Sequence, residues 1–129
     1  MNYLLDTDTC IFALKHHPAV KAHFGAVAPE EVAISAMNEA ELRYGALNSQ
    51  HPDQHVKDVE AFLKPFMVLP FDAEAAKEQA KLRLALKKHP LGERDLVIAS
   101  VARVHHLTVV THNLREFARV PGLRATDWT

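Results

Sequence analysis

The sequence predicts an α/β fold, a central parallel sheet of four to five short strands covered by helices on both faces. Three observations carry that expectation. Short apolar runs recur between longer stretches of helical character, the alternation expected of βαβ units. The runs are apolar throughout rather than alternating, as in strands buried on both faces. No repeat, low-complexity tract or Gly/Ser linker interrupts the chain, and 129 residues suit one domain spanning 1–129.

Each element has a local reason. Tyr3-Leu4-Leu5 reads as a buried strand ending at Asp6. A helix Thr7–Lys15 follows, with Ile11, Phe12 and Leu14 apolar. Pro18 opens a second short helix, since proline suits a first helical turn. Val32-Ala33-Ile34 is the second strand, and Ser35 caps a helix from Ala36 to Asn48. A helix Pro52–Leu63 leads to the third strand, Phe66–Leu69, closed by Pro70. Asp72 caps a long helix Ala73–Lys88, which contains no Gly, Pro or β-branched residue. Gly92 precedes a helix Glu93–His106, and Leu107–Val110 is the fourth strand. A short helix Asn113–Ala118 and an edge strand Leu123–Ala125 complete the chain.

Composition narrows the function. Cys10 is the single cysteine, so an intrachain disulfide and a cysteine zinc cage are excluded, and a reducing, cytoplasmic setting is expected. No apolar run approaches the ~18 residues of a membrane span, and the start lacks the basic opening and long apolar run of a signal peptide. The net charge of −1 hides a split. Residues 1–74 hold 5 Lys/Arg against 11 Asp/Glu, whereas residues 75–129 hold 10 against 5. No Gly-x-Gly-x-x-Gly is present, which excludes the usual dinucleotide site. A receiver-like signalling domain would need a lysine after the last strand, where Thr111-His112-Asn113 stand.

In open α/β sheets ligands bind beyond the carboxyl ends of the strands, at a topological switch point. Asp6, Thr7 and Asp8, then Ser35, then Thr111, His112 and Asn113 occupy that rim. Asp6 reads equally as a helix cap and as a functional carboxylate. Positions 37, 40, 41, 44 and 48 form one stripe of the Ala36–Asn48 helix. Met37, Ala40 and Tyr44 make it apolar, which places Glu41 on a core-facing stripe. A carboxylate there needs a partner or a metal. Asp95 opens a helix whose next residues, Leu96-Val97-Ile98-Ala99, are apolar. Carboxylates crowded together repel unless a cation lies between them. Mg2+ and Mn2+ are the hard cations that such oxygens suit, and the chemistry implied is metal-assisted phosphoryl transfer. His51 and His55 are four apart, but Pro52 between them disfavours a shared helical site.

Met1-Asn2-Tyr3-Leu4-Leu5-Asp6-Thr7, Ile34-Ser35 and Ala40-Glu41-Leu42-Arg43-Tyr44-Gly45 resemble the opening motifs of PIN-domain proteins of the VapC toxin family. Leu69-Pro70-Phe71-Asp72, Gly92-Glu93-Arg94-Asp95-Leu96-Val97-Ile98-Ala99, and Val110-Thr111-His112-Asn113-Leu114-Arg115-Glu116-Phe117 continue the likeness in order. So does the tail, with Arg119-Val120-Pro121-Gly122-Leu123 and Asp127-Trp128. The resemblance implies a three-layer PIN-like fold and a Mg2+- or Mn2+-dependent endoribonuclease. Such toxins cut structured RNA, often tRNA, by attack of activated water on a phosphodiester, and a VapB-like antitoxin holds them inactive. A homodimer is implied as well. Asp6, Glu41 and Asp95 match the family's three central acids, and its fourth acidic position falls on Asn113. Glu116 lies three residues on and could supply a carboxylate, while Thr7 and Thr111 match small hydroxyl positions.

An acidic centre repels RNA, so cations nearby must attract the backbone. Arg94 and Arg115 adjoin the site segments and are the expected phosphate contacts. Lys81, Arg83, Lys87 and Lys88 on the long helix read more simply as a solvated face. His112 is the one histidine on the rim, and Tyr44 and Trp128 read as packing residues. The alternative from another class is a non-catalytic binding module whose acids are structural.

Overall fold

A computed structural model describes residues 1–129. In chain order the elements are β1 (Tyr3–Leu5), α1 (Thr7–Leu14), α2 (Pro18–Ala26), a 3-10 turn (Pro29–Glu31), β2 (Val32–Ser35), α3 (Ala36–Leu47) and α4 (Pro52–Leu63). Then come β3 (Met67–Leu69), α5 (Ala73–Ala85), α6 (Glu93–His105), β4 (Thr108–Val110), α7 (Leu114–Phe117) and β5 (Ala125–Thr126). The five strands form one sheet in the order β3-β2-β1-β4-β5, with every pairing parallel. This is the predicted class, with the fifth strand at the edge. The chain winds outward from β1 to β3 and then returns to the other side of β1 as β4, so the switch point lies between β1 and β4.

Strand alternation builds the three layers. Leu4, Ala33 and Val109 point to one face, where Leu82 of α5, Ile98, Val101 and Ala102 of α6 and Phe117 of α7 cover them. Leu5, Val32, Ile34 and Val110 point to the other, under Cys10, Val20, Leu42, Ala46, Val59 and Trp128. Both faces are dry, which is why the strand sequences read as unbroken apolar runs. Arg43 ties α3 to α4 by pairing with Glu39 and Glu60. No helix is long and apolar enough to cross a membrane.

Two expectations are corrected. The buried face of α3 is Asn38, Leu42 and Ala46, not the stripe through 37, 40, 41 and 44. Tyr44 is accordingly 67% exposed and is no core residue, whereas Trp128 is buried. The apolar character of that stripe misled because β2 and α4 both approach α3 from the side of Leu42. The long helix also stops at Ala85 rather than Lys88. Residues 86–88 already turn toward Pro90, which cannot continue a helical backbone.

Phe117 is fully buried although α7 has only four residues. Phe117→Ala should lower stability by about 3–5 kcal/mol, the usual cost of an aromatic cavity. Urea denaturation should show this as a reduced midpoint with an unchanged slope.

Candidate active site

The site is built from the turn after β1. The Asp6 backbone N–H donates to Val110 O at 2.8 Å, which extends the β1–β4 ladder one residue past the strand. That pairing places the Asp6 side chain at the switch point, only 7% exposed. Its Oδ1 accepts from the Thr7 N–H at 2.8 Å and its Oδ2 from Thr111 Oγ1 at 2.8 Å. Asp6 is also the N-cap of α1. The cap reading is seen directly, and because capping leaves the carboxylate at the switch point the two readings of the sequence do not compete.

Thr7 passes the connection to the second acid. Its hydroxyl donates to Glu41 Oε1 at 2.8 Å, and Glu41 Oε2 meets Arg94 Nη1 at 3.0 Å. The Asn38 carboxamide, fully buried, lies 3.0 Å from Thr7 Oγ1 and 2.7 Å from Ser35 Oγ. Thr111 Oγ1 accepts from the Asn113 N–H at 2.9 Å, and the Asn113 amide reaches Asp95 Oδ2 at 3.4 Å. Asp6, Thr7, Glu41 and Thr111 are thus joined directly, and Asp95 joins through Asn113. Glu116 pairs with Arg119 at 2.7 Å. Arg94, expected on RNA phosphate, pairs with Glu41 in the structure and keeps a 71% exposed side chain. Arg115 is exposed and has no ion-pair partner.

Negative charge converges here. Burial, followed by the Asp8 charge, pushes Asp6 from its ordinary value of 3.8 up to about 6. The hydrogen bonds from Thr111 and Thr7 oppose that rise, and Asp95 adds to it. Asp95 is raised too, by burial first and then by Glu116, Glu41 and Asp8. Burial pushes the Cys10 thiol well above its usual range, with Asp6 and Asp8 adding to it. That thiol is an inert core group rather than a nucleophile.

Mutually repelling carboxylates are the donor chemistry that a hard divalent cation takes, since its charge offsets their repulsion. Asp6, Glu41 and Asp95 fit such an ion in kind. As the side chains stand, however, no three His, Cys, Asp or Glu groups are gathered closely enough to share one. Glu41 is held back by Arg94 and Thr7. His51 and His55 stand with ring centroids 6.4 Å apart, and no third such ligand is gathered with them.

Sequence reasoning underweighted two residues. Asp8 accepts the His112 N–H at 3.1 Å and its charge acts on both Asp6 and Asp95. Its signal was the spacing of two from Asp6 on the same rim. Asn38 was missed altogether. Its signal was the third position after the Ser35 cap, where a side chain can return to the cap backbone. His112 packs its ring edge-on against Phe12 and lies 3.3 Å from Asp127, so it ties the last residues to the rim.

Known proteins share this architecture. The PIN domain family matches residues 3–123. The tRNA(fMet)-specific endonuclease VapC of Salmonella typhimurium is 40% identical, over 99% of this chain and 98% of that protein. Ribonuclease VapC2 of Rickettsia felis is 34% identical over 99% and 98%. The crystal structure of DNA-bound VapBC from Salmonella typhimurium contains a chain that superposes with a TM-score of 0.93 at 39% identity, covering 100% of this chain and 99% of that one. The chain belongs to the PIN-domain family, among its VapC proteins.

Proposed function

We propose that the chain is the toxin of a toxin–antitoxin pair, an endoribonuclease that uses Mg2+ or Mn2+ to cut structured RNA, with tRNA as its substrate. One observation carries the reading: Asp6 and Asp95, from segments far apart in sequence, converge at the switch point of the sheet through Thr111 and Asn113, where burial and neighbouring carboxylate charge raise both carboxyls. Such a concentration of charge is costly for stability and is found where chemistry needs it. The names of the relatives support the ribonuclease activity, and the Salmonella protein supports tRNA as substrate.

Asp6, Glu41 and Asp95 would hold the ion, which when bound supplies Lewis acidity toward the phosphodiester and the attacking water. The chain's own residues do the positioning. Thr111 fixes the rotamer of Asp6 through Oδ2. Thr7 fixes Glu41, and the Asn38 carboxamide packs against the Thr7 hydroxyl. Asn113, in place of a fourth acid, orients Asp95 without adding to the repulsion. Glu116 contributes charge at Asp95 rather than a contact. Arg94 and Arg115 stand ready to meet phosphate oxygens.

The antitoxin reading rests on the VapBC complexes among the structural neighbours, including one from Rickettsia felis at TM-score 0.92. It also rests on a cavity of about 420 Å3 lined by Ile11, Leu14, Leu42 and Val59, with Glu41 also in its wall. A partner segment seated there would reach the acids. Exposed Tyr44 and Leu47 on α3 support association with a second copy. The buried free thiol of Cys10 supports a reducing compartment, the cytoplasm.

Total cellular RNA incubated with Mg2+ should be cut, and EDTA or Asp6→Asn should abolish the cut. Cleavage that persists in EDTA overturns the metal mechanism. No cleavage, together with a melting temperature indifferent to Mg2+, points to the binding module instead.

The Asp6 shift also makes a prediction for the metal-free protein. Between pH 3.8 and about 6 the folded state binds more protons at Asp6 than the unfolded state. Stability therefore falls as pH rises through that window, by about 3 kcal/mol in all. Asp95 adds a loss of the same sign. In EDTA, Asp6→Asn should be more stable than the unsubstituted protein at pH 7.5 and should flatten the decline between pH 4 and 7. Equal slopes in urea titrations would show that Asp6 ionises freely.

A further inference from the structure

Arg94, the partner of Glu41, also lines a groove of about 740 Å3 between the end of α5, the 86–92 connection and the start of α6. Arg83, Lys87 and Arg94 line it against a single acid, Glu93. Neither Arg83 nor Lys87 has an ion-pair partner. Two other cations of α5 differ. Lys77 lies 3.3 Å from Glu74 and Lys81 lies 3.8 Å from Glu78. Both face a separate cleft shared with Arg103 and Arg124. The long helix is therefore not one uniform solvated face. Its acids neutralise the cations on one side and leave those on the other free. Met37, Leu86 and Val97 give the groove apolar lining beside the free cations.

We propose that this groove binds the single-stranded stretch of RNA that flanks the scissile phosphodiester, with Arg94, Arg83 and Lys87 along its backbone phosphates and an unstacked base against Met37 and Val97. The proposal takes its scissile bond from the ribonuclease reading above. Three observations select the occupant. Arg94 both lines the groove and pairs with Glu41, so a strand bound in the groove lies one side chain from the acids. Its excess of positive charge suits a polyanion. Its apolar lining suits the exposed face of a base, which a single strand offers and a stacked duplex hides.

The test uses the Asp6→Asn protein, in which cleavage is blocked, titrated into fluorescently labelled total tRNA at several salt concentrations. Arg83→Gln with Lys87→Gln is compared with Lys77→Gln plus Lys81→Gln, an equal loss of charge on the same helix. All four positions are exposed, and melting curves check that both pairs fold. The groove pair should weaken binding about tenfold and reduce the salt dependence by about 1.4, two contacts at ~0.7 each. The control pair should change affinity less than about twofold. Equal weakening by both pairs overturns the proposal, because the effect is then only net charge. Unchanged binding by the groove pair also overturns it, and is the result expected if an acidic protein segment fills the groove. In the active chain the groove pair should raise KM and leave kcat unchanged. If the unsubstituted chain cuts no RNA, the ribonuclease reading fails, while the binding comparison still decides the groove.

Discussion

A carboxylate that is 7% exposed and bonded through both oxygens is the constraint on which the rest of the site depends. Asp6 cannot move without breaking the α1 cap or the bond from Thr111, and its position follows from the β1–β4 ladder beneath it. The sheet's packing thus sets the site's geometry. In turn the site strains the sheet's stability, since burial and neighbouring charge oppose ionisation of Asp6. The Thr7 backbone N–H and the Thr111 hydroxyl moderate that conflict at Asp6, and the Thr7 hydroxyl serves Glu41. They donate to carboxylates without adding a positive charge that would compete for the same oxygens.

Arg94 resolves the conflict differently. It offers Glu41 a full opposite charge, at a side chain that is 71% exposed. An exposed pair of this kind contributes little to stability. It is strong enough to hold Glu41 in place and weak enough to exchange for another partner. The two ends of the site are therefore unlike. Asp6 is fixed by hydrogen bonds alone, whereas Glu41 is held on one oxygen by the Thr7 hydroxyl and on the other by an exposed cation.

Much of this was legible in the sequence. Parallel strands buried on both faces declare themselves as short apolar runs, so the α/β class and nearly every element followed from pattern. Asp6 and Thr111 were legible because the switch-point rule names the positions directly after strands. The face of α3 was not. With Ala, Met, Leu and Tyr all around that helix, the apolar stripe is ambiguous, and the decision came from where β2 and α4 lie. Glu41 was thus placed at the site for a reason that the packing does not support, and it arrives there through Thr7 instead. Asn38 was illegible for a related cause. A buried carboxamide satisfied by a serine and a threonine carries no periodic signature. The division of the α5 cations between two clefts likewise depends on how α5 lies against α6, which no spacing in one helix reveals.

The central place of β1 also bears on synthesis. It is made before the other strands of the sheet, yet one of its two edges has no partner until residues 108–110 follow. The Thr9 hydroxyl waits for the same strand, since it bonds Val110 O at 3.1 Å. A pairing separated by roughly the whole length of the chain closes late and slowly. Until it closes, Asp6 has no Thr111 and Asp95 has no Asn113. A chain lacking β4 and the residues after it carries Asp6, Glu41 and Asp95 but not the links through Thr111 and Asn113, so the complete arrangement appears only once those residues have been made.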